Sequence, residues 1–175
     1  MERLLLEIGT EEIPAGYIEP GLKSLADHLT KKLTEARIDF GAVQTHGTPR
    51  RMVVTVEDMA PRQRPVTEKV MGPPERIAVD DQGNYTVPAQ KFAEKVGLPL
   101  DRLTLEETEK GRYLSATITD KGTTTNNCLK QILPDTILSV PFPKTMRWSD
   151  LNVSFARPIQ SILALLGRPS AAEHR

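Results

Sequence analysis

The 175-residue sequence has little cysteine, few aromatic side chains and no net charge. The single cysteine, Cys128, excludes an internal disulfide and a Cys-x-x-Cys zinc site, and a reducing cytoplasmic compartment is expected. Lys and Arg together number 23, as do Asp and Glu, so the chain is not a polybasic nucleic-acid coat protein. The longest apolar run, residues 159–166, is far shorter than the roughly 18 residues of a membrane span, and no membrane partner is expected.

The composition is that of an ordinary globular chain. Hydrophobic residues make up 38% and charged residues 26% of the sequence. The length suits one domain, or one domain and a small part of another. The positive charges are unevenly distributed, with local basic patches on a neutral body. Such patches fit limited contacts with RNA, although an ordinary solvated surface has the same charge pattern.

Hydrophobic periodicity predicts an α+β fold in which helices pack on an antiparallel sheet. A strand is predicted over residues 3–9, and a helix follows whose apolar stripe recurs at helical spacing, with Pro20 suited to its first turn. The stripe consists of Ile18, Leu22, Leu25, Leu29, Leu33 and Ala36.

Further strands and helices are predicted downstream. Residues 43–47 and 50–58 form a strand–turn–strand, residues 60–74 an extended surface segment, and residues 103–108 and 112–119 a hairpin. Thr86 caps one short helix and another begins near Thr124. The run 159–166 has helical spacing, but it is too short to be distinguished from a buried strand.

No catalytic constellation is evident in the sequence. It contains neither the GxxxxGK[ST] nor the GxGxxG loop that cradles phosphates, so no nucleotide site is predicted. Glu7, Glu11 and Glu12 are candidates for a metal or acid/base cluster. Glu11 and Glu12 are adjacent and point in different directions, however, which favours a role at a helix entry. Three scattered histidines do not make a metal site, and Cys128 is expected to be a small core residue. We therefore predict no catalytic residue and no metal.

The segment Gly47-Thr48-Pro49-Arg50-Arg51 is the best binding candidate. Glycine permits a turn, proline fixes it, and two guanidinium groups follow in a defined direction, which suits phosphate or carboxylate recognition. Successive strand residues point to opposite faces, and Arg50 shares the face of Met52. Arg50 is therefore predicted to be structural, pointing inward and paired with a carboxylate. Arg51 is predicted to reach solvent, RNA or another subunit.

A second basic region surrounds the only tryptophan. Lys144, Arg147 and Arg157 are candidates for RNA or subunit binding, because guanidinium groups beside an aromatic face suit a nucleic-acid strand or an interface hot spot. Trp148 is predicted to be structural, packed at a corner between a helix and a strand. In that alternative Arg147 is bridged to Asp150, and the roles of the two arginines stay open.

Three sequence elements occur in a fixed order: LLLEIGTEEIP from Leu4, GTPRR from Gly47 and FPKTMRW…FARPI from Phe142. In this combination the chain resembles the N-terminal region of the beta subunit of bacterial heterotetrameric glycyl-tRNA synthetase, over residues 2–167. That family's chain is several times longer, so a fragment is expected. Residues 168–175 depart from the family's pattern and are expected to be a foreign or frameshifted tail.

The resemblance implies a non-catalytic part of a cytoplasmic aminoacyl-tRNA synthetase that supports ATP-dependent ligation of glycine to its tRNA. The implied partners are the alpha subunit and glycine tRNA. ATP and Mg are expected at the alpha subunit and no cofactor in this chain. Residues 1–122 are expected to form one α+β domain and residues 123–167 the start of a second that resembles the editing domain of phenylalanyl-tRNA synthetase. The alternatives are a stand-alone RNA-binding or trans-editing hydrolase module and a pure scaffold for the alpha subunit.

Overall fold

A computed structural model describes residues 1–148, 150 and 152–168 of the chain. The chain divides into two compact units. Unit 1 comprises Met1–Arg64 and the described part of Gly122–Arg175, and unit 2 is Pro65–Lys121. Among the described residues no helix is both long and apolar enough to span a membrane.

Unit 1 is built on a four-stranded antiparallel sheet. The strands follow the order β2-β3-β1-β9. Two helices and a short two-stranded hairpin, β7–β8, complete the unit. The elements are β1 (Glu2–Thr10), α1 (Ala15–Glu35), β2 (Val43–Thr48), β3 (Arg51–Met59), α4 (Thr125–Leu138), β7 (Met146–Arg147), β8 (Ser154–Phe155) and β9 (Ile159–Gly167).

The apolar residues of the predicted strands and of the predicted helix pack together in the core of unit 1. Leu22, Leu25, Leu29 and Leu33 of α1 are buried, which confirms four positions of the predicted stripe. They pack with the inward residues of β1 and β3, which alternate with half-buried ones as a sheet with one covered face requires. The inward residues of these two strands are Leu4, Leu6, Ile8, Met52, Val54 and Val56.

Helix α1 begins earlier than the sequence indicates. Its first residue is Ala15, directly after Pro14, and the Tyr17 amide donates to the Pro14 carbonyl at 2.8 Å. Pro20 therefore lies inside the helix and not in its first turn. The amphipathic stripe starts at Ile18, so it gives no signal for the turn that precedes it.

Unit 2 has its own sheet and its own core. Its strands follow the order β4-β6-β5, and its apolar cluster includes Phe92, Leu103 and Leu114. The predicted hairpin is confirmed, as is the helix after Thr86, which ends at a left-handed Gly97. The predicted cap by the Thr86 side chain is wrong, because its hydroxyl donates to the Ile77 carbonyl and makes no capping hydrogen bond. The elements are β4 (Val66–Pro74), α2 (Glu75–Ala78), α3 (Val87–Val96), a 3-10 turn (Leu100–Arg102), β5 (Leu103–Thr108) and β6 (Gly111–Asp120).

The prediction of an α+β fold with antiparallel sheets is confirmed, but two segments differ from expectation. The segment predicted as extended surface chain contains β4, which pairs with β6. The ambiguous run 159–166 lies in strand β9, which pairs with β1. In both cases the partner strand lies far away in sequence.

The grouping of the chain also differs from the predicted division at residue 122. Residues 1–64 share a sheet with β9, so the N-terminal and C-terminal parts of the described chain form one unit, and residues 65–121 are inserted between them. The predicted tail falls almost wholly outside the described residues, which end at Arg168.

Candidate RNA and subunit interface

The three sequence elements converge at one end of the unit 1 sheet, through backbone hydrogen bonds. The last residue of β1 and the loop that follows it make all three contacts. Its Thr10 amide donates to the Arg50 carbonyl at 2.9 Å and its Ile13 amide to the Pro49 carbonyl at 2.7 Å. Its Glu11 amide donates to the Pro158 carbonyl at 3.0 Å. We call this meeting point, residues 10–13, 49–50 and 158, the motif junction.

The acidic residues of the motif junction do not enter the first turn of α1. That turn contains no acidic residue, so the predicted helix-entry role is wrong. The Glu11 carboxylate accepts instead from the Gln160 side-chain amide at 2.9 Å, and Glu12 is exposed. Glu11 therefore fastens the loop to β9.

Arg50 is exposed, so the prediction that it points inward is wrong. The prediction that Met52, Val54 and Val56 share the inward face of the strand is confirmed, because all three are buried. Arg50, however, lies in the turn before β3, where alternation does not operate. Its carbonyl oxygen accepts the hydrogen bond from the Thr10 amide in the motif junction. Among the described residues its guanidinium forms no ion pair.

Arg51 opens β3 and lies on the outer face of the sheet. Its Nη1 atom is 3.6 Å from Glu7 Oε1, and 64% of the Arg51 side chain is exposed. Glu7 lies opposite Val53 and Gly9 opposite Arg51, so the pair is a diagonal cross-strand contact. At this exposure such a pair contributes at most about 1 kcal/mol and leaves the guanidinium open to a second partner.

The second basic region lies on and beside the β7–β8 hairpin. Arg147 is exposed and pairs in register with Ser154, and Lys144 is exposed just before the hairpin. The Arg157 guanidinium is half-buried, with Nη1 3.5 Å from Met146 Sδ and 3.1 Å from the Ala156 carbonyl oxygen. The alternative bridge between Arg147 and Asp150 does not form, although both residues are described.

Aromatic packing holds this basic region against α1 and the core of unit 1. Trp148 is half-buried against the apolar core. Phe142 stacks on Tyr17 of α1 with a 6.3 Å centroid separation and meets Phe155 edge-on at 4.8 Å. A side chain at Gly21 would come within 2.9 Å of the Phe142 ring, so α1 and the segment around Phe142 approach closely. The basic side chains thus project from a packed base.

The available functional groups are suited to binding. Around the motif junction and the hairpin the exposed charged groups are guanidinium, ammonium and carboxylate groups. Arginine forks in this setting suit phosphate or carboxylate partners. The described residues contain no group of three or more His, Cys, Asp or Glu side chains arranged to hold a metal ion.

A serine–histidine contact elsewhere in unit 1 links two helices. His28 Nδ1 lies 2.8 Å from Ser139 Oγ, and the serine hydroxyl also donates to the Thr136 carbonyl at 2.9 Å. One turn away, Lys32 of α1 is 3.7 Å from Asp135 of α4. Both contacts join α1 to the C-terminal end of α4.

Sequence reasoning missed Gln160 and the pairing of Glu7 with Arg51; it considered Glu7 only as part of an acidic cluster with Glu11 and Glu12. Glu7 was visible as a charged residue in an apolar strand, where alternation assigns it to the outer face. Its pairing with Arg51 depends on the β1–β3 register, and the Glu11–Gln160 contact depends on a pairing across 149 positions. Neither register is encoded locally.

Comparison with known proteins identifies the family of the chain. The family model described as glycyl-tRNA synthetase beta subunit matches residues 4–171. The glycine–tRNA ligase beta subunit of Desulfatibacillum aliphaticivorans is 52% identical over 167 residues, which cover 95% of this chain and 24% of the relative. Those of Desulforapulum autotrophicum and Myxococcus xanthus are 48% and 44% identical, over 96% and 94% of the chain and 24% and 23% of the relatives.

These matches, together with the converging motifs, define the chain as part of an aminoacyl-tRNA synthetase subunit. The chain belongs to the glycyl-tRNA synthetase beta subunit family. It spans about a quarter of the length of the curated relatives that it matches.

Proposed function

We propose that the chain helps to hold glycine tRNA and the synthetase alpha subunit, and so supports ATP-dependent ligation of glycine without carrying the chemistry. The observation that carries the proposal is that the three motifs meet through backbone contacts while their basic side chains stay exposed. Backbone contacts fix the three family motifs together, while Arg51, Lys144 and Arg147 keep exposed charged groups. In this proposal ATP and Mg are bound by the alpha subunit.

The backbone and the side chains of the motif residues have different roles, and this difference supports the proposal. The backbone groups of residues 49–50 and 158 make the internal contacts. Their role in the fold therefore leaves the charged side chains of these motifs available to a partner. The guanidinium of Arg51 is tied only through a long contact to Glu7 at 3.6 Å, and that of Arg147 forms no ion pair with Asp150.

Binding of glycine tRNA tests the RNA part of the proposal. Anisotropy titrations at two salt concentrations should show affinity that falls with salt, because each phosphate contact releases counterions. Arg51→Ala and Arg147→Ala should each weaken binding and reduce the log–log salt slope by about one. Arg102→Ala is the matched control, since Arg102 is an exposed arginine in unit 2.

An anticodon-swapped tRNA gives a further control. Backbone contacts carry no sequence information, so the two tRNAs should bind equally. A strong anticodon preference, or equal losses for Arg102→Ala and the two test variants, would contradict the assignment of these arginines to RNA.

Capture of the alpha subunit tests the other part. The tagged chain should retain the purified alpha subunit without tRNA. A variant of Arg51 or Arg147 that retains less alpha subunit identifies that residue as a contact to the alpha subunit. The chain alone should not catalyse glycine-dependent exchange of pyrophosphate into ATP, because its sequence has no phosphate-cradling loop. Exchange activity in the absence of the alpha subunit would refute the non-catalytic role.

A further inference from the structure

Two exposed arginines, Arg62 and Arg64, lie near the C-terminal end of α1 and outside the interface proposed above. Their segment donates a hydrogen bond to the carbonyl of Ala36, which directly follows the last residue of α1. The motif junction lies before the first residue of the same helix. At about 1.5 Å per residue, the two ends of this 21-residue helix are about 30 Å apart. The two arginines therefore form a separate basic patch.

The segment that carries the two arginines is held in place by hydrogen bonds to two other parts of unit 1. The Gln63 amide donates to the Thr123 carbonyl at 3.1 Å, and the Arg64 amide donates to the Arg37 carbonyl at 2.8 Å. The Gln63 side chain donates to the Ala36 carbonyl at 2.7 Å and accepts from the Thr123 amide at 2.8 Å. Gln63 is thus fixed both by its backbone and by both ends of its side-chain amide.

Arg62 and Arg64 flank Gln63 and point away from it. Gln63 is half-buried and both arginines are exposed, which is the alternation of an extended chain. Residues two apart on such a chain are separated by about 6.6 Å. Successive phosphates of one RNA strand have a similar separation. The spacing therefore suits two neighbouring phosphates, each of which matches a planar guanidinium fork.

Both guanidinium groups keep donors for a further partner. Arg62 Nη2 donates to the Gly122 carbonyl at 3.1 Å, which occupies one of the five N–H donors of the group. Arg64 Nε is 3.2 Å from Asp39 Oδ1, but the two side chains are 62% and 60% exposed. An ion pair at this exposure is weak, so a phosphate can compete with Asp39 for Arg64.

We infer that Arg62 and Arg64 bind successive phosphates of the RNA backbone, as a second contact for the RNA held near the motif junction. The inference rests on the proposed function for the identity of the RNA. An apolar centre is typical of a protein interface. Among the described residues, none of the large apolar side chains that are exposed lies within residues 36–64 or 122–127. A phosphate backbone needs only the positive charges, so the surroundings of the patch favour RNA over an acidic peptide.

Anisotropy titration of labelled glycine tRNA with the intact chain, over a series of salt concentrations, tests the inference. The variant Arg62→Ala/Arg64→Ala should bind more weakly and lower the log–log salt slope by about two, one for each lost phosphate contact. Arg62→Lys/Arg64→Lys keeps both charges and should retain the slope. The matched control Arg76→Ala/Arg102→Ala removes two exposed arginines of unit 2 and should change neither quantity. Melting curves verify that each variant folds.

Asp39→Asn separates binding of RNA from a role in the fold. The substitution removes the carboxylate that competes for Arg64 and repels a phosphate, so affinity for the tRNA should rise. If the arginines served the fold alone, loss of the ion pair with Asp39 would not strengthen binding.

Three results in the titrations would overturn the inference. They are unchanged affinity in the double alanine variant, an equal loss in the unit 2 control, and weaker binding of the tRNA by Asp39→Asn. Retention of less alpha subunit by the double alanine variant, with unchanged RNA affinity, would also overturn it and would assign the patch to a protein partner. The RNA part of the proposed function fails separately, if Arg51→Ala and Arg147→Ala bind the tRNA like the unaltered chain.

Discussion

Arg50 and Arg51 illustrate how a change of one position alters the role of a residue. Alternation applies to Arg51 because it is the first residue of β3, and its side chain follows the outer face. Arg50 precedes the strand, so its orientation is set by the turn. The contribution of Arg50 to the fold is its carbonyl oxygen, which accepts the Thr10 amide at 2.9 Å. A substitution of the side chain leaves that bond intact.

Arg50→Ala and Arg51→Ala should therefore each change the free energy of unfolding by less than about 1 kcal/mol, because neither guanidinium belongs to a buried pair. Urea denaturation of the two variants measures this change. A buried ion pair at Arg50 would instead give a loss of roughly 3–5 kcal/mol, and a loss of that size would contradict the exposed position described above.

Gly47 is required for close packing and not for a turn. It lies within β2, opposite Met52, and its φ is not positive. A side chain at this position would meet Ile18 Cγ2 and Leu22 Cδ1 of α1, both at 2.7 Å. Gly47→Ala should destabilise the protein by about 1–3 kcal/mol, because the Ile18 and Leu22 side chains must shift from their packed positions. Thermal and urea denaturation both measure the loss.

Gly16 provides the matched control. It lies in the first turn of α1, and a side chain there would have nothing within 4 Å. Gly16→Ala should be neutral or stabilise the protein by up to about 1 kcal/mol through helix propensity. Equal effects of the two substitutions would show that the contact between β2 and α1 is not the cause.

At the scale of elements, a single carboxylate organises the turn between α2 and α3. Asp80 accepts from the Asn84 amide at 2.8 Å, from the Gln82 amide at 2.9 Å and from the Asn84 side chain at 3.3 Å. The hydrogen bond from the Asn84 amide is the main cause that holds the pKa of Asp80 below its usual range. The sequence Asp80-Asp81-Gln82-Gly83-Asn84 predicts this turn, and the structure confirms it.

The turn should weaken in acid. Because the folded-state pKa of Asp80 is depressed, its stabilising effect is present above the ordinary Asp pKa of about 4 and disappears as pH falls through the lower folded-state value. An NMR titration should show the amide resonances of Gln82 and Asn84 moving together, with a midpoint below the ordinary value. A midpoint at or above the ordinary value, or amide shifts unaffected by Asp80→Asn, would contradict this account.

The elements with local signals could be predicted from the sequence. The α1 stripe, the helix α3 with Gly97 at its end and the hairpin β5–β6 each have their signals within about 20 residues. The prolines around β4 concealed a strand because Pro65, Pro73 and Pro74 lie just before it or at its end, where proline is tolerated. Strand β9 was ambiguous because its spacing fits both periods, and only its pairing with β1 decides the outcome.

The candidate site was predictable in its parts but not in its assembly. The sequence identifies three motifs and their basic residues by type and order. Their convergence depends on contacts such as that between the Glu11 amide and the Pro158 carbonyl, which join distant parts of the chain. Such contacts follow from the order of strands in the sheet, which no local pattern encodes. The interruption of unit 1 by residues 65–121 could not be predicted either, because it also depends on the order of strands in the sheet.

At the scale of the whole molecule, unit 1 joins the two segments of its own chain that flank the insertion of unit 2. Arg62 and Thr124 form an antiparallel bridge, and the Gln63 amide donates to the Thr123 carbonyl at 3.1 Å. The Thr125 amide donates to the Pro61 carbonyl at 2.9 Å. The two points at which the chain leaves and re-enters unit 1 are thus neighbours held together within unit 1, which also has its own apolar core.

Unit 1 should therefore fold without unit 2. Replacing Pro65–Lys121 by a short Gly-Ser linker should leave a cooperative unfolding transition, because the chain ends to be joined are already adjacent. Trp148 is the only tryptophan and packs against the core of unit 1, so its fluorescence monitors this unit alone in both chains. Leu29→Ala in the shortened chain provides the sensitivity control and should cost about 2–5 kcal/mol, because Leu29 is fully buried. Solvent-exposed emission and no cooperative transition would show instead that the two units fold together.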